Sequence, residues 1–402
     1  MIQGEKGMKK IWFVVLVLLV SLMLAGCQES DTLSFDVEVV DLSGTVLLDA
    51  NIIFDKDDTS DVVSLIDEAI GLDYSTSAYG IFVNGLADFY PTEYEVTYNY
   101  YYALYVNDEM MMTGIDGVAL EDGMKISFVE TTMLDEIDVL VDMLIQSFLS
   151  FNYDVYINDQ MFDHYVLAAI KQLNLYGYPS PILASTTLAF PEENLLRDTI
   201  ASTFKTTILE KALSLNLNTT KNALSGFEAN NNYDACSLLT ALTMTEGAQT
   251  QIDAVLNSLV TLAPTQPYLD ADFAGMVLLA LSPYKDDAST TDTIEFMIEY
   301  IQTMLTKDGI QAYGSANASS TAAVVIGLVA QGINPRGEDY TIDGTDLIEA
   351  LVRYEMFSSF VYMLGDEQAD MAFSTPQAFS ALVAYKIYRD VWGNPAFNLF
   401  DI

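Results

Sequence analysis

Three stretches in the second half of the chain begin a helix in the same way, and they restrict its possible folds more than any other feature. They read Asp272-Phe273-Ala274-Gly275-Met276-Val277-Leu278-Leu279-Ala280-Leu281, Ser319-Ser320-Thr321-Ala322-Ala323-Val324-Val325-Ile326-Gly327-Leu328 and Phe373-Ser374-Thr375-Pro376-Gln377-Ala378-Phe379-Ser380-Ala381-Leu382. Each has at or next to its start (Asp272, Ser319 and Ser374) a side chain able to accept a hydrogen bond from an unpaired N–H of a first helical turn. Each then turns almost wholly apolar, which describes a helix buried on all sides. Such helices need a second layer around them. The starts at Asp234, Asp272, Ser320 and Thr375 lie 38, 48 and 55 residues apart, a degenerate repeat of helix pairs. Repeats of that length stack as helical hairpins, in an open solenoid or a closed ring. The more polar helix Thr291–Thr306, with Asp292, Glu295 and Glu299, favours a ring with inner and outer layers.

The first part of the chain has a different period. Leu33–Val39 alternates apolar and polar residues as a half-buried strand does, Val46–Phe54 gives a second strand, and Val62–Ile70 a short helix. Further strands are predicted at Gly80–Asn84, Tyr98–Val106 and Met124–Val129, with turns at Asn84-Gly85, Asp116-Gly117 and Asp122-Gly123. From Met133 the strand pattern stops. The expected fold is therefore α+β in two domains: a small mainly-β domain over 34–132, then an all-α α/α toroid of about six helix pairs over 133–402.

Residues 1–26 have the form of a signal peptide, with Lys6, Lys9 and Lys10 ahead of an apolar run from Ile11 to Leu24. That run ends Leu24-Ala25-Gly26-Cys27, which resembles a bacterial lipobox. The resemblance implies acylation of Cys27, a lipidated tether over 27–33, and anchoring at the extracellular face of a bacterial cell membrane. The other cysteine, Cys236, sits in an apolar helical stretch and is expected to be a buried small hydrophobe. A formal charge of −41 makes nucleic acid an unsuitable partner, because phosphates would be repelled.

Two family resemblances follow. Asp272–Leu281 and Ser374–Leu382 resemble helix starts of the vitamin B12 carriers transcobalamin and intrinsic factor, whose helical domain is an α/α toroid shared with prenyltransferases and terpene cyclases. Tyr79–Gly85, Tyr101–Asn107, Gly114-Ile115 and Leu120–Met124 resemble the small β domain that follows the toroid in those carriers. Here that domain comes first. The resemblance implies a corrinoid ligand, cobalamin or cobinamide, clasped between the β domain and the toroid mouth and passed to a membrane transporter. Phe273 stands where the carriers have a Thr, and their disulfides are absent.

The mouth would offer Asp234, Asp272, Ser320, Thr321, Thr375 and Gln377, side chains suited to a ligand ringed with amides. Tyr101, Tyr102, Tyr105 and Asn107 would supply a flat amphipathic surface from the β domain, with Met110-Met111-Met112 as an adaptable apolar patch. His164, the single histidine, is chemically able to ligate cobalt, though a lone helical histidine is more often structural. Enzyme chemistry is not expected. Asp234-Ala235-Cys236 matches the Asp-x-Cys zinc pair of prenyltransferases, but the downstream histidine that completes that site is missing. The Asp-x-Asp-Asp acid of terpene cyclases is missing from the toroid as well. A protein- or glycan-binding surface module and a polysaccharide-active enzyme are the alternatives.

Overall fold

The computed structural model describes residues 31–77, 80–158, 163–183, 195–265 and 268–402. It divides into two compact units: residues up to Tyr94 with Tyr100–Thr132, and Glu95–Asn99 with Met133–Ile402. The signal peptide and Cys27 lie outside the described residues.

The first unit is built on a sheet. In chain order its elements are β1 (Thr32–Val40), β2 (Val46–Asp55), α1 (Val62–Ile70), β3 (Leu72–Ser77), β4 (Gly80–Leu86), β5 (Tyr100–Val106), β6 (Glu109–Met110) and β7 (Lys125–Thr132). The main sheet has the order β2-β1-β7-β5-β6, and β3 and β4 form a separate hairpin. β1 runs antiparallel to β2 and parallel to β7, so a crossover must join the latter pair; α1 lies in it. The period-two pattern puts Phe35, Val37 and Val39 on one face, where they are fully buried with Ile126, Phe128 and Ile66 of α1. Asp61 caps α1 by accepting from the Ser64 N–H at 2.8 Å. β3 was not predicted, because its residues are partly or fully exposed and carry no apolar alternation.

The second unit contains the helices α2 (Glu136–Phe151), α3 (His164–Leu175), α4 (Ile200–Ala212), α5 (Asn218–Leu224), α6 (Asn232–Met244), α7 (Gln249–Leu262), α8 (Ala271–Leu281), α9 (Thr291–Thr303), α10 (Ala318–Ala330), α11 (Leu347–Val352) and α12 (Ser374–Asp390). Six of them, α3, α4, α6, α8, α10 and α12, each pack against the next, and α12 packs back on α3. They close a ring. The others form an outer layer: α5 against α4 and α6, α7 against α6, α9 against α8, α11 against α10, and α2 against α11 and α12. Every apolar residue of α8 but Met276 is buried, as are all the apolar residues of α10 except Ala323, which is why their sequences show no stripe.

This unit is not purely helical. Short strands β8 (Leu305–Thr306), β9 (Gly309–Ala312) and β10 (Ser315–Ala316) lead into α10, and β11 (Glu355–Met356) and β12 (Ser359–Phe360) come before α12. Strands of two to four residues are too short to show an alternation in sequence.

Candidate functional site at the mouth of the ring

The inner helices point the same way, so their first turns gather at one end of the ring. The N-caps are Asn231 for α6, Asp270 for α8 and Asn317 for α10, accepting from Asp234, Phe273 and Ser320 N–H at 2.8, 2.8 and 2.9 Å. This corrects the expected starts by two to three residues. Asp234, Asp272 and Ser320 stand inside the first turn rather than capping it. Capping occupies one oxygen of Asp270, and the other accepts the Tyr233 hydroxyl at 2.6 Å. Asp272 is released from that duty.

One Asp272 oxygen accepts a long hydrogen bond, 3.4 Å, from the Tyr313 hydroxyl in the turn between β9 and β10. Its other oxygen is buried with no partner, and so is the hydroxyl of the fully buried Ser320. That hydroxyl lies beside the carboxyl without closing a hydrogen bond to it. Burial raises the Asp272 pKa above the ordinary carboxylate value; the Ser320 hydroxyl eases it, the Asp270 charge raises it further, and Tyr313 opposes. Tyr165 of α3, across the ring, and Tyr362, ahead of α12, also lie within electrostatic reach of Asp272. Burial first, then the aspartates, push the hydroxyls of Tyr165, Tyr233 and Tyr313 upward, so they stay neutral. The mouth is thus a pair of aspartates ringed by tyrosine hydroxyls.

The remaining mouth residues have local roles. Thr321 donates to Asn317 O at 2.7 Å and accepts the Ile310 N–H of β9 at 3.0 Å. Thr375 accepts the Phe360 N–H of β12 at 2.9 Å. Each fastens a preceding hairpin to its helix. Asp234 accepts from the Asn231 amide at 2.8 Å, and Gln377 is half-buried in the first turn of α12. His164 packs against Tyr165 and Phe204, and burial pushes its pKa down to about 4, with Asp163 opposing and Lys205 adding. It is a neutral, packed histidine. The Cys236 thiol is buried and pushed up by that burial. Tyr313 and Tyr362 were missed because the hairpin turn and the loop that carry them to the mouth leave no periodic signal, and Tyr233, in the first turn of α6, because nothing in the sequence shows that its hydroxyl reaches Asp270 of the next inner helix.

In the β unit, Tyr101 and Tyr102 line a cleft of about 200 Å³ with Phe82 and Met110–Met112. Tyr102 is on the core face and its hydroxyl is buried without a partner; burial and the Glu130 charge raise its pKa to about 12. Tyr105 is half-buried and does not line the cleft. Asn107 serves a turn: its φ is +49°, and its side chain accepts the Lys125 N–H at 2.9 Å.

A larger cavity, about 350 Å³, lies at the opposite end of the ring among the last turns of α4, α6, α8 and α10. The final residues close that end: Phe397, Leu399 and Phe400 are buried, and the Gln172 amide donates to the carbonyls of Asn398, Leu399 and Asp401. Thr240 and Asn398 there are hydrogen-bonded locally, whereas the mouth holds two buried polar atoms without a partner. Among the described residues no group of three or more His, Cys, Asp or Glu could hold a metal ion. Nor is any helix among them long and apolar enough to cross a membrane.

Residues 60–131, from α1 into β7, match a family described as a domain of unknown function (DUF4430). No curated protein matches the chain. A solved structure from Ruminococcus gnavus ATCC 29149, provisionally described as a metal binding protein, aligns with 25% of this chain and 98% of its own at 17% identity and a TM-score of 0.21. At that level of likeness nothing about binding transfers to this chain.

Proposed function

We propose that this protein captures a small molecule at the mouth of its helical ring and changes no bond in it. The observation that carries the reading is the pair of buried, unpartnered polar atoms there, one carboxylate oxygen of Asp272 and the Ser320 hydroxyl. A buried polar group without a partner costs about 1–3 kcal/mol. A ligand carrying N–H donors would remove that cost on binding. The ligand we put forward is a corrinoid, because its amide-bearing periphery matches acceptors arranged around a ring mouth and because the helix starts resemble those of the B12 carriers. We further propose that Cys27 is lipidated, holding the protein outside a bacterial cell membrane, where it would pass the ligand to a transporter.

The test is retention of a chromophore. Purified protein at micromolar concentration is mixed with cobinamide or cobalamin and passed over a size-exclusion filter. Red colour is expected to stay with the protein, and to be lost on changing Asp272 and Ser320 together to Ala. Colour that passes through with the buffer overturns the corrinoid assignment.

A further inference from the structure

Asp270 and Asp272 are two residues apart at one mouth, and among the described residues neither forms an ion pair. The side chains around Asp272 are a second carboxylate, the Ser320 hydroxyl and the phenols of Tyr165, Tyr233, Tyr313 and Tyr362. All have lone pairs to offer, and none brings positive charge. A buried carboxylate without a counter-charge is expensive, and low dielectric makes any cation supplied to it count for more.

We propose that the mouth selects cations, the ligand presenting a positively charged N–H donor, in its simplest form an alkylammonium group, to the Asp272 carboxylate and the Ser320 hydroxyl. This rests on the mouth being a small-molecule site, but not on the ligand being a corrinoid. The ligand chemistry is chosen by elimination. An anion would meet two carboxylates. A neutral amide would satisfy the free Asp272 oxygen but leave the charge uncompensated. An ammonium has three donors: one for that oxygen, one for Ser320, and one for a phenol oxygen whose own proton is already given to an aspartate. The Tyr313 ring is largely exposed, at the lip where such a group would enter. The net charge of the chain acts in the same direction, since 57 acidic against 16 basic residues raise the concentration of cations near its surface.

Proton linkage provides the signature. A cation beside Asp272 favours its charged form, so binding expels a proton wherever the free carboxyl holds one, and affinity falls as the solution is acidified. The phenols do not contribute, because they are neutral throughout that range. Spermidine is a suitable probe, its amines remaining charged from neutral pH to pH 4.

Isothermal titration of the purified protein with spermidine, in two buffers of different ionisation heat, is expected to show binding that weakens on acidification and releases protons. Asp272→Asn, which keeps the shape but removes the charge and turns one acceptor oxygen into a donor, is expected to weaken binding roughly tenfold or more and to flatten the pH profile. A parallel thermal scan shows that this variant is folded. Cobinamide titrated alongside separates the two proposals. Cobinamide binding with no spermidine binding, no competition and an unchanged Asp272→Asn affinity overturns cation selection while leaving the mouth as a corrinoid site. Spermidine binding alone supports cation selection and removes the corrinoid. Failure of both ligands overturns both.

Discussion

The hydroxyl of Thr321 closes two hydrogen bonds at once, one to its own helix and one to the hairpin in front of it. Removing it while keeping the side-chain shape leaves the Ile310 N–H buried and unpaired. Thr321→Val is therefore expected to cost about 1–3 kcal/mol of stability, read by chemical denaturation, with the mouth's ligand affinity unchanged. The threonine could be picked out in sequence, recurring at the same place as Thr375, but its partner could not, since β9 and β12 are too short to announce themselves. The same limit applied at Asp270-Ala271-Asp272. Two carboxylates were visible there, yet the backbone decides which one caps: Asp270 has the extended conformation of a cap, φ −129° and ψ 166°, leaving Asp272 to face the mouth.

At the scale of elements, the informative contact is between α8 and α10. A Cβ added to Gly275 would lie 2.5 Å from Ala323 O, and one on Gly327 would lie 2.6 Å from Gly275 O. The two helices meet backbone to backbone. Alanine is favoured over glycine inside a helix by about 1 kcal/mol, so an open site would gain from the exchange. Here the added methyl must push rigid backbone apart, and overpacking costs about 1–3 kcal/mol or more. Gly275→Ala is thus expected to lower the thermal midpoint, as measured by circular dichroism, despite its better propensity. Apolar faces and polar starts of these helices could be read from the chain because burial on all sides erases the amphipathic stripe. The need for glycine at the crossing could not, since it depends on which helix becomes the neighbour.

Over the whole molecule, the ring must be held shut where its last inner helix meets its first. Lys386 of α12 is fully buried at that seam, 3.0 Å from both Asp142 of α2 and Asp390, and its ammonium lies over the Tyr178 ring. Arg389 joins the same two aspartates at 2.9 and 2.6 Å. Burial works to raise the Asp390 pKa, but Arg389 and Lys386 outweigh it and hold the carboxyl below its ordinary value. A depressed carboxylate stabilises the fold at any pH above its unfolded value, and that stability drains away as pH falls through the folded one. Acid is therefore expected to open the ring only below the ordinary carboxylate range in so far as this group governs it. Lys386→Met preserves volume while stranding two buried carboxylates with a single guanidinium. Breaking a buried pair from one side costs about 3–5 kcal/mol, so the variant should unfold at lower urea concentration at pH 7. Its acid transition, followed by far-ultraviolet circular dichroism, should also move to higher pH, because Asp390 has lost one of the charges that kept it ionised. An unchanged acid midpoint would show that this seam does not govern acid opening of the ring.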